Sequence, residues 1–206
     1  MTRSRAPLLI AATLLAHAPA TSRAQSATDP AHPVSLAVMS ETLGYTPNAV
    51  HPGVEVGYEV RYVREGAYEM AQAVHLGWLH HPRIMTGAYL DTSLVQRAVF
   101  SFGLYGELGL GVGAQVTGTP VTTYAANDAG DALVARADDP RAMVRLTAAA
   151  AIGFDLREAG APGVRLFVRY AETVLAPFAP GNSLPLFVAA QVAVGLTVPM
   201  TLLADR

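Results

Sequence analysis

The sequence predicts an all-β fold: an eight-stranded antiparallel up-and-down transmembrane β-barrel whose apolar face points outward. Three observations carry this expectation. Apolar residues recur with a period of two along most of the chain, the period of a strand rather than a helix. The segments between these runs are alternately short and long. Hydrophobic residues make up 51% and charged residues only 15%, where a soluble domain carries roughly 25%. That composition excludes intrinsic disorder. The fourteen basic residues, all Arg, meet sixteen acids for a net charge of −2, which argues against a nucleic-acid partner. Without cysteine, disulfide frameworks and thiolate metal sites are excluded.

The first element is a targeting segment. Arg3 and Arg5 precede the apolar run Leu8–Ala16, and Ser22-Arg23-Ala24 places small residues where a signal peptidase requires them. The run is shorter than the ~20 residues of a membrane-crossing helix. The chain therefore divides into a signal peptide, 1–24, and a barrel domain, 25–206. Removing Arg3, Arg5 and Arg23 leaves eleven Arg against sixteen acids, so the exported part carries −5.

Eight strands follow, at 34–41, 53–63, 69–80, 84–95, 98–116, 141–156, 164–174 and 184–199. Val54–Tyr62 alternates without a break. Phe100, Phe102, Leu104, Leu108, Leu110 and Val112 share one face; Tyr105, Glu107, Gly109 and Gly111 share the other. Val144 to Leu156 and Val164 to Tyr170 repeat the pattern. The uncharged stretch after Leu184 is long enough for a helix, but Pro185 and Pro199 bracket it and valine dominates it, which favours a strand. Connections 42–52, 117–140 and 175–183 are long, whereas 64–68, 96–97 and 157–163 are short; His80-His81-Pro82-Arg83 makes a further tight turn. Short periplasmic turns and longer extracellular loops are the asymmetry of an outer-membrane barrel. Tyr62, Tyr68, Phe100, Phe102 and Phe154 gather at the expected periplasmic ends as an aromatic girdle, with Trp78 and Tyr170 toward the other rim.

A soluble lipocalin-like barrel holding an apolar ligand has the same period with the opposite polarity. The second face decides against it, since it is mostly Gly, Ala, Ser and Thr with isolated charges. Those charges are Glu55, Glu59, Glu69, Asp91, Glu107 and Asp155 with Arg61, Arg145, Arg165 and Arg169. Buried together in a lumen they must pair.

The strand pattern, the signal peptide and the loop asymmetry resemble the small outer-membrane β-barrel proteins, typified by the transmembrane domain of outer membrane protein A. Stretches such as Gly87–Thr92 and Leu104–Gly111 carry the likeness. The resemblance implies residence in the outer membrane of a Gram-negative-type bacterium. It also implies contact with outer-membrane lipid, and periplasmic chaperones and the barrel-assembly machinery during biogenesis. One departure is the C-terminal sequence Pro199–Arg206, where such proteins usually end on an aromatic residue.

The expected function is a structural or surface-interaction role with a filled, ion-paired lumen; the surface partner is unspecified. A narrow porin-like channel set by Asp91, Glu107, Arg145 and Arg169 is the alternative; the filled lumen is favoured over it because eight strands leave room only for side chains. An enzyme is not expected. His80, Thr86 and Glu172 are polar members of the outward set near the rim, yet no Ser accompanies them, and the His-x-Ser arrangement of lipid A deacylases is absent. No metal or cofactor is expected either. His75, His80 and His81 are badly spaced for shared ligation, and Asn127–Asp131 with Asp138-Asp139 lacks the spacing of a calcium loop. Gly109, Gly111 and Gly113 read as room for bulky lumen neighbours.

Overall fold

The computed structural model describes residues 32–43, 50–81, 85–118, 123–126, 133–136, 140–156, 163–176 and 186–200. The expected signal segment 1–24, the acidic stretches 127–131 and 138–139, and the tail 201–206 lie outside them. Eight strands close into one barrel: β1 (Pro33–Leu43), β2 (Val50–Glu65), β3 (Tyr68–His81), β4 (Met85–Val99), β5 (Leu104–Gly118), β8 (Arg141–Asp155), β9 (Arg165–Ala176) and β10 (Phe187–Pro199). Two short strands, β6 (Thr123–Ala126) and β7 (Leu133–Arg136), pair with each other inside the long connection from β5 to β8. Sequence alternation over so few residues did not reveal them.

Every barrel neighbour is antiparallel, and β1 pairs with β10 to close the ring. The expected all-β fold is therefore the observed one, and Phe187–Pro199 is a strand rather than a helix. The links 66–67, 100–103 and 156–164 lie at one end, the turn end. The links after β1, β3, β5 and β9 lie at the other, the loop end.

The register fixes the barrel's dimensions. From Glu69 the ladder passes through Arg97, Glu107, Ala151, Arg169, Ala193, Met39 and Gly53, then returns to β3 at Leu79. The circuit has climbed ten residues. With a rise of ~3.3 Å per residue and ~4.8 Å between strands, this shear tilts the strands by about 40°. The lumen of such a barrel holds side chains and little else.

Faces follow parity. Odd-numbered residues point inward on every barrel strand until β2 reaches a bulge between Arg61 and Val63, after which Arg64 stands opposite Glu69. Even-numbered residues cover the outside with Leu36, Val38, Leu76, Leu94, Leu108, Leu110, Leu146, Ile152 and Val194, all exposed. This is the reverse of a soluble barrel, which turns its charges outward.

One sequence assignment is corrected. The link expected at 96–97 is a turn at 100–103, and β4 runs on to Val99. Gly103 has φ +92°, a backbone setting that glycine takes without strain. Its N–H donates to the Phe100 carbonyl (3.0 Å), and its own carbonyl accepts from Asp155 N–H (2.8 Å). Gln96-Arg97 has no such turn chemistry. Phe100 and Phe102 consequently belong to the turn, not to a strand, and stack on one another with ring centroids 5.8 Å apart.

Gly77 marks the tightest crossing of the lumen. A Cβ there would collide with the ring and hydroxyl of Tyr89, which lies across the interior. Gly77→Val is expected to lower unfolding stability by about 1–3 kcal/mol through overpacking. In a Tyr89→Ala background it should be close to neutral. Urea titrations followed through the single Trp78 check both.

Candidate functional site

Period-two alternation on a closed ring brings the odd-numbered charges of the strands into one interior, apart from Glu65 past the β2 bulge and Arg141 at the rim of β8, which are exposed. The ten charges singled out from sequence all face it, in two clusters.

The cluster at the turn end is built on Arg97 of β4. Its Nη2 donates to Glu59 Oε2 (2.8 Å) and Glu107 Oε2 (2.5 Å), its Nη1 to Glu69 Oε2 (3.0 Å), and its Nε to Glu107 Oε2 (2.8 Å). Arg165 donates through Nη2 to both oxygens of Glu69 (2.9 and 3.0 Å) and through Nε to Asp155 (3.1 Å). Arg61 Nε donates to Glu59 Oε1 (3.2 Å), and Arg64 approaches Glu69 from the rim at 3.6 Å. The Tyr105 ring lies under both central guanidinium groups, 5.4 Å from Arg97 Cζ and 5.6 Å from Arg165 Cζ.

The second cluster fills the middle and the loop half. Arg169 Nη2 grips both oxygens of Glu55 (2.7 and 2.6 Å). Tyr89 donates its hydroxyl to Glu55 Oε2 (2.5 Å), and His75 Nδ1 lies 3.1 Å from Glu55 Oε1. Above them Arg145, wholly buried, lies over the Tyr89 ring at 3.9 Å. It donates to Asp91 (3.3 Å) and Gln115 (2.7 Å) and reaches Glu41 at 3.5 Å. Gln191 Nε2 donates to the Tyr89 hydroxyl (3.2 Å).

Several of these pairs span the barrel rather than a strand ladder. Arg165 on β9 meets Glu69 on β3, on the opposite wall; Arg169 on β9 meets Glu55 on β2; Arg145 on β8 meets Glu41 on β1. Two cavities of about 40 and 30 Å³ lie between the clusters, beside His75, Arg169 and Glu107. Each has space for a few water molecules.

Sequence reasoning missed Arg97, Glu41, Tyr89 and Gln115, and placed Tyr105 and Gln191 on the inward face without giving them a part in the network. All are odd-numbered and share parity with residues already placed inward. Extending the alternation of Tyr89, Asp91, Ser93 and Val95 by one step would have reached Arg97.

The outward polar residues do not converge. His80 Nδ1 lies 2.9 Å from Thr86 Oγ1, and the His80 ring stacks on Trp78. Glu172 stands on β9, four strands away around the ring, where it accepts from the Tyr170 hydroxyl (3.0 Å). Its ladder partners are Ala148 and Ala190. Of the girdle residues, Tyr68, Phe100, Phe102 and Phe154 are exposed near the turn end, and the Tyr62 hydroxyl donates to Gln72. Among the described residues no group of three His, Cys, Asp or Glu is arranged to hold a metal ion.

No family model and no curated protein matches the chain. Among solved structures the chain is similar to Neisserial surface protein A, at 10% identity and a TM-score of 0.46, over 81% of this chain and 94% of that one. It is similar to Ail, the attachment invasion locus protein of Yersinia pestis, at 14% identity and a TM-score of 0.44, over 81% and 95%. A further similar structure is the outer membrane enzyme PagL, at 10% identity and a TM-score of 0.45, over 80% and 99%. The fold itself rests on the closed strand ladder.

Arg97→Met removes the one cation shared by Glu59, Glu69 and Glu107. Breaking a buried pair on one side costs about 3–5 kcal/mol, and that loss is expected in urea unfolding. Arg97→Lys should recover only part of it, because an ammonium lacks the planar fork.

Proposed function

We propose that this protein is an outer-membrane β-barrel of a Gram-negative-type bacterium with a structural or surface-interaction role and a lumen closed by ion pairs. The observation that carries this reading is the sorting of side chains by parity. Seven acids and five arginines face a narrow interior, while the outer wall is predominantly apolar, with Glu172, His80 and Thr86 among its few polar groups. Only a solvent without water makes that arrangement favourable: lipid accepts the apolar wall, and closure leaves no unpaired strand edge.

The same geometry supports a sealed lumen. Arg97, Arg165, Arg145 and Tyr89 occupy its cross-section, and the cavities of about 40 and 30 Å³ between the clusters have room for a few waters rather than a column. Function then belongs to the loop end, where the connection between β5 and β8 carries its own β6–β7 hairpin. A surface-interaction role uses that end and leaves the lumen as scaffold. The outward polar groups support a non-enzymatic reading, since His80 and Glu172 stand on opposite walls and alanines flank Glu172. Chaperones and the assembly machinery would act before the barrel closes.

Two measurements test this. The folded protein should pellet with the outer membrane and migrate faster unboiled than boiled; recovery in the periplasmic supernatant overturns the reading. In planar bilayers it should be electrically silent, and steady single-channel steps from the unmodified protein would overturn the sealed lumen.

A further inference from the structure

Two rings on the outer wall of β3 hold one another in place. The imidazole of His80 stacks on the indole of Trp78, with ring centroids 5.4 Å apart and an interplanar angle of 3°. Its Nδ1 lies 2.9 Å from the hydroxyl of Thr86, its ladder partner on β4. The next position on that rung is Gly118 of β5, which adds no side chain. Trp78 is 47% exposed. Among the described residues neither His80 Nε2 nor Trp78 Nε1 has a hydrogen-bond partner, and His80 Nε2 is open to its surroundings. The indole nitrogen is a donor only.

Height on the barrel sets what surrounds them. The rungs of Tyr68 and His80 are twelve residues apart along β3. At ~3.3 Å per residue and a tilt of about 40°, His80 stands about 30 Å above Tyr68 along the barrel axis, and Trp78 about 25 Å. The apolar band of a membrane barrel is ~25 Å tall between its two aromatic girdles. With the exposed Tyr68, Phe100 and Phe102 at one boundary, Trp78 reaches the other. His80 lies one rung further, among the head groups. Lipid phosphates in that layer offer charged acceptors, and two ring nitrogens stand there with no acceptor from this chain.

We propose that His80 and Trp78 seat the phosphate of an outer-leaflet lipid. Thr86 donates its hydroxyl to His80 Nδ1, which keeps the ring proton on Nε2, and that N–H donates to a phosphate oxygen. The Trp78 N–H donates to the same head group from one rung below. Thr86 is a positioning residue: its bond to one ring nitrogen sets the tautomer that the other presents. The stack fixes the ring plane, so little side-chain freedom is lost on binding. The proposal rests on the membrane reading above. A second copy of the chain fits less well, because a two-fold contact on this wall sets donors against donors.

The test uses the full chain folded into vesicles of equal phosphatidylglycerol and a phosphate-free monoglucosyl diacylglycerol with the same acyl chains. The protein is then extracted and weighed by native mass spectrometry with its retained lipid. Phosphatidylglycerol should be retained over the glycolipid by about fivefold, the ratio one net hydrogen bond supports. His80→Phe, which keeps a ring on Trp78 and removes both nitrogens, should bring that ratio to about one. Thr86→Val, which leaves Nε2 but not its orientation, should lower it about twofold. Equal retention of both lipids by the unmodified chain overturns the proposal. So does a preference that His80→Phe leaves at full strength, or a two-chain mass that His80→Phe reduces to one. A preference that excess inorganic phosphate abolishes overturns the lipid as the ligand. Heat-modifiable migration of each variant establishes that it folded. An unmodified chain lacking that shift overturns the membrane reading itself, whereas a shifting barrel without lipid preference overturns the phosphate seat alone.

Discussion

Closure of β1 on β10 at a shear of ten is the constraint from which the rest of the structure follows. It leaves no barrel strand with a free edge and sets the tilt near 40°. It also decides which residues share a level. Glu69 and Arg165 are ninety-six residues apart, yet they meet because β3 and β9 are opposite walls of a ring too narrow to keep them apart. A different shear would move every cross-lumen partner to another height.

Within that narrow interior, the central charges are held by several partners each rather than by single bridges. Arg97 touches three carboxylates, and Glu69 is shared between Arg97 and Arg165 with Arg64 at the rim. A buried pair is often no more stable than an apolar filling of the same shape. What the network adds is register, because one rung of slip on a strand would turn its inward charges toward the outer wall. Tyr89 and Tyr105 help by lying across the lumen and offering ring faces to Arg145, Arg97 and Arg165. Glycine makes this packing feasible where Tyr89 crosses at Gly77 and Tyr105 at Gly153.

Much of this was legible as parity. Along a strand the side-chain period is two, so an uninterrupted alternation such as Val54–Tyr62 assigns each residue to a face before any partner is known. The errors fell where alternation does not speak. The turn at 100–103 escaped because Phe100 and Phe102 continue the even-numbered apolar series, and the signal lay in Gly103's positive φ, which sequence does not display. Cutting β4 short at 95 hid Arg97, the centre of the network. Glu172 and His80 looked neighbourly as two polar residues near one rim, but strand order placed them on opposite walls.

The sequence by itself determined the period, the number of barrel strands, the two faces and the inward placement of ten charges. Each of these is a local property, set by residue type and by the alternation of successive Cβ atoms. Only the tertiary structure decided the partners: Arg97 with three carboxylates, Arg145 over Tyr89, Glu172 between Ala148 and Ala190. Those depend on shear and strand order, which are properties of the closed ring and are written in no single strand.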